Sequence, residues 1–116
     1  MQKIEKWRIQ ELAIVLNDLA ELLKQGNNAE WANAFSHFYY ESQKILLKKE
    51  FNLEELKKLL QNIGNCFIGV SSFRNLSLSE AGQGENEILN KEFSQVRSRL
   101  LVILAQMENQ SVEYVN

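Results

Sequence analysis

Apolar residues recur three and four positions apart in separate segments of this chain, and no proline interrupts any of them. That spacing places the apolar residues on one face of a helix. Without proline, nothing in the chain forbids long helices. In the first segment, Ile9, Leu12, Leu16, Leu19 and Leu23 form the stripe, which predicts a helix over Gln2–Gln25. Gly26 follows where a helix commonly stops.

A second helix is expected over Asn28–Lys49, with Trp31, Phe35, Phe38 and Ile45 on one face and Ala34 and Leu46 at its edges. Asn27 with Glu30 three residues on resembles a capping box. Lys44, Lys48 and Lys49 near the end suit the negative pole of the helix. A third helix is expected over Leu53–Ile63, capped by Asn52, with Leu53, Leu56, Leu60 and Ile63 as its stripe and Gly64 and Asn65 as stops. The last, over Glu85–Met107, carries Leu89, Phe93, Val96, Leu100, Ile103 and Met107. Its early Glu85, Glu87 and Glu92 and later Arg97 and Arg99 agree in sign with the helix dipole. The following "ENQSVEYVN" has no clear period and is expected to fray or lie along the surface.

The expected fold is all-α: an antiparallel bundle of about four long helices, with an ordered connection of about 20 residues before the last one. The 116 residues suit a single helical domain over 1–116, with 110–116 as a surface tail. The longest apolar run, Leu100–Ala105, is far shorter than the roughly 20 residues of a membrane span. "MQKIEKWRIQELAIVL" carries scattered charges and no small-residue cleavage site, so no signal peptide is read there. The lone Cys66 allows no internal disulfide, which fits a reducing compartment, and a cytoplasmic location is expected. A net charge of −2 leaves no basic footprint for nucleic acid.

Catalytic chemistry has little to stand on. His37 is the sole histidine, and with Glu41 four residues on it supplies at most two ligands, so no metal site is read. Cys66 sits beside Phe67 and Ile68, the company of a small core residue rather than a nucleophile. "GQGENE" has no Lys-Ser/Thr and is not a phosphate loop. Glu54 and Glu55 read as first-turn residues of a solvated helix. The expectation is no enzyme, no catalytic residue, no cofactor and no metal. A small enzyme would need a polar pocket converging on His37 or on buried carboxylates.

Two features exceed a plain bundle. Trp7 and Ile14 lie opposite the main stripe of the first helix, and Tyr40, Leu47 and Phe51 opposite that of the second. Either these helices are buried on more than one side, or the residues form a second apolar patch for self-association or docking. On the latter reading the chain is a self-associating structural or regulatory module, a homodimer through Trp7, Ile14, Tyr40 and Leu47. The other feature is "GNCFIGVSSFRNLSLSEAGQGENE", Gly64–Glu87, which holds Gly64, Gly69, Gly82 and Gly84 of the chain's 5 glycines. Phe67, Ile68, Val70, Phe73, Leu76 and Leu78 should anchor it to the bundle, leaving Ser79–Glu87 as a mobile acidic tip. Ser71, Ser72, Arg74 and Asn75 between the anchors either satisfy local backbone or present a recognition surface.

In Gly69, Ser71, Ser72, Phe73, Asn75 and Leu76 this stretch resembles a glycine-rich segment of a small bacterial helical family of unknown function. The upstream "NAEWANAF", with Trp31 and Ala32, looks like that family's start of helix 2. The resemblance covers roughly residues 10–107 of the sequence. Proteins of this kind look similar to immunity proteins of contact-dependent growth inhibition, a toxin–antitoxin relationship in which the immunity protein neutralises a cognate toxin, often a nuclease. The resemblance implies binding rather than catalysis, with a toxin protein as partner and neither nucleic acid nor membrane touched directly. The expected contacts are Ser71, Ser72, Arg74, Asn75, Glu80, Glu85 and Glu87.

Overall fold

The computed structural model describes residues 6–26, 28–50, 52–68, 73, 76 and 83–115; the side chains of 83–87 and 108–115 lie outside that description. Among the described residues the chain forms four helices and no strand: α1 (Lys6–Gln25), α2 (Ala29–Leu47), α3 (Leu53–Asn65) and α4 (Gln83–Val115). The fold is an all-α antiparallel bundle, as the spacing predicts.

α1 is the central helix. It packs against α2 on one side and α4 on the other, while α3 lies on α2. All five stripe residues of α1 are buried, and Ala13, Val15, Ala20 and Leu22 widen the buried face because two neighbours cover it. Each buried Leu or Ile here stabilises the fold by about 1.5–3 kcal/mol. α4 runs antiparallel to α1. Arg8 near the start of α1 donates to Gln106 at 2.7 Å, and Glu11 one turn later faces Arg99 at 3.9 Å. At about 1.5 Å per residue α4 is close to 50 Å long. It matches the 51 Å long axis of the molecule.

The joints follow local chemistry. The Asn28 N–H donates to the Leu23 carbonyl at 2.9 Å, the six-residue bond of a helix C-terminus. Asn28, not Asn27, caps α2: its side-chain oxygen accepts from the Trp31 N–H at 3.2 Å. The pattern Asn27-x-x-Glu30 is shifted by one residue from the cap, and Asn27 itself lies outside the described residues. Asn52 caps α3 as expected, accepting from the Glu55 N–H at 3.2 Å.

Several helix ends differ from the sequence reading. α3 continues two residues beyond Ile63, through Gly64 and Asn65. A glycine lowers helix propensity by about 1 kcal/mol but does not stop a helix whose preceding turns are packed. α4 begins at Gln83, so 83–87, expected in a mobile tip, are helical in backbone. It also runs to Val115, so most of the expected fraying tail continues the helix. α2 ends at Leu47, and Lys48–Glu50 form a bend.

Candidate functional site

Between α3 and α4, Phe73 occupies an aromatic seat, while residues 69–72, 74–75 and 77–82 lie outside the described residues. Phe73 is fully buried, and its ring lies 4.5 Å from Phe35, 5.1 Å from Trp31, 5.3 Å from Phe93 and 5.5 Å from Phe67. The Phe67 and Phe93 contacts are edge-on, the arrangement the ring quadrupoles favour. One phenylalanine from the connection thus joins α2, the end of α3 and α4.

Its backbone is equally engaged. The Phe73 N–H donates to the Cys66 carbonyl at 2.8 Å. The Phe73 carbonyl accepts from the Leu76 N–H at 3.2 Å and from an Arg97 guanidinium nitrogen at 2.9 Å. The same Arg97 nitrogen donates to the Leu76 carbonyl at 2.8 Å. Arg97 lies 4.7 Å over the Phe93 ring, and partial burial lowers its pKa. A guanidinium stays charged even so, and its planar head suits simultaneous stacking and carbonyl capture. The spacing of α4 assigns Arg97 to the helix dipole; its main contacts are with the connection instead.

The expected anchors Phe67, Phe73 and Leu76 do pack into the core. Ile68 does not: it is 72% exposed. The last turn of α3 tightens into three-residue hydrogen bonds, Phe67 N–H to the Gly64 carbonyl and Ile68 N–H to the Asn65 carbonyl. That turn delivers Phe67 inward and leaves Ile68 outward. At the other end of the connection, Ile88 in α4 is 71% exposed. Two large apolar side chains therefore stand in solvent, one just past α3 and one in the second turn of α4. Val70, Leu78 and the expected contacts Ser71, Ser72, Arg74, Asn75 and Glu80 lie outside the described residues. So do the side chains of Glu85 and Glu87.

A second surface lies on α1 and α2. Trp7 is 49% exposed, Ile14 57%, Tyr40 60% and Leu47 82%, so these residues are not part of a doubly buried core. Phe51 lies outside the described residues. Ile14, Tyr39 and Leu46, with Gln10, Asn17 and Gln43, line a groove of about 440 Å³ between the two helices.

A smaller cleft of about 160 Å³ separates α2 from α3 and holds His37, Glu41, Glu55 and Lys58. His37 Nε2 lies 3.3 Å from Glu41, which also pairs with Lys44 at 3.3 Å. Glu55 is bound by Lys48, and that hydrogen bond is the chief cause lowering its pKa. Each carboxylate already has a cationic neighbour. Among the described residues no group of three or more His, Cys, Asp or Glu is placed to hold a metal ion. Cys66 is half-buried, its thiol directed to the Asn62 carbonyl at 3.6 Å, and burial pushes its pKa up. Among the described residues no helix is long and apolar enough to cross a membrane.

Comparison with known proteins finds no family model, no curated protein and no solved structure that matches the chain.

Proposed function

We propose that this is a cytoplasmic immunity protein that binds a cognate bacterial toxin domain, a nuclease on this reading, and neutralises it by covering its active site or an adjacent face. The observation that carries the reading is the pair Ile68, just past α3, and Ile88, in the second turn of α4, both exposed on either side in sequence of the buried Phe73 whose carbonyl Arg97 holds. Isolated apolar side chains in solvent are common; on this reading Ile68 and Ile88 would both belong to the docking patch. Phe73, already seated among its aromatic neighbours, would need no further ordering on binding. Ser71, Ser72, Arg74 and Asn75 would add polar contacts to the partner. Glu80, Glu85 and Glu87 would oppose the basic substrate groove of a nuclease and speed encounter.

The test is protection. The chain is expressed in cells carrying the toxin domain encoded beside it. Growth should be rescued by the wild-type chain, and rescue should be lost with Ile88→Asp although that variant remains helical. Cells that die despite folded wild-type protein would overturn the reading.

A further inference from the structure

We draw no further inference here: the strongest candidate, the exposed apolar face of α1 and α2 formed by Trp7, Ile14, Tyr40 and Leu47, carries nothing, because nothing in the structure shows what covers it.

Discussion

Arg97 of α4 holds the Phe73 carbonyl at 2.9 Å, twenty-four residues back along the chain, and caps the ring stack that buries the Phe73 side chain. Charge-assisted bonds of this kind contribute about 1.5–3 kcal/mol, less where water reaches them. Replacing Arg97 by Ala should therefore cost about 1–2 kcal/mol in urea unfolding. Arg97→Lys should recover only part of it, since an ammonium lacks the planar head that stacks on Phe93 while capturing two carbonyls.

Phe73 bears more weight. It fills the space between four aromatic rings, and truncation leaves a void they cannot close. Phe73→Ala should destabilise by about 3–5 kcal/mol, and Phe73→Leu by less than half of that. Native-state hydrogen exchange should show the Cys66 to Leu76 region losing protection first in the Ala variant. Uniform loss across α1 would mean that the seat is not a local unit.

Gly64 offers a gain. It lies inside α3, and a Cβ added there meets nothing within 4 Å. Gly64→Ala should raise stability by about 0.5–1 kcal/mol, read as a higher denaturation midpoint at unchanged slope. A loss would show that the residue is needed as a stop rather than as one more helical position.

The Lys48–Glu55 pair sets a pH dependence. The hydrogen bond from Lys48 holds the Glu55 carboxyl below its usual value. A depressed carboxylate contributes stability that is present above its unfolded pKa and lost as pH falls through the folded one. The effect of Glu55→Gln on stability should thus be small, visible at neutral pH, and vanish in acid below the ordinary carboxylate range. Raising the salt concentration should shrink it too, because the pair is exposed.

The bundle was legible because burial imposes a period. Every stripe residue of α1 is buried, and a helix covered by two neighbours has no freedom to place those leucines elsewhere. Boundaries were less legible, because they depend on which of two adjacent asparagines turns its side chain to a backbone N–H, as Asn28 does. The seat was half legible. Phe67, Phe73 and Leu76 were recognisable as anchors by their apolarity. Ile68 has the same chemistry and points to solvent, because a single tightened turn decides the direction. Arg97 was legible only as a charge suited to the helix dipole, not as the partner of the Phe73 and Leu76 carbonyls. One signal was available: on α4 it lies four residues from Phe93, close enough for a guanidinium to reach the ring. Its carbonyl partners in the connection are more than twenty residues distant and follow no spacing rule.

The most direct measurement is the affinity of the purified toxin domain for three forms of this chain, by calorimetry. The wild type should bind and abolish toxin activity. Ile88→Asp, in the second turn of α4, should bind at least roughly tenfold more weakly, ~1.4 kcal/mol, while Ile14→Glu on the α1–α2 face should bind as the wild type does. Equal binding by the wild type and Ile88→Asp, or loss of binding in Ile14→Glu alone, would contradict the assignment of the docking site to the connection between α3 and α4.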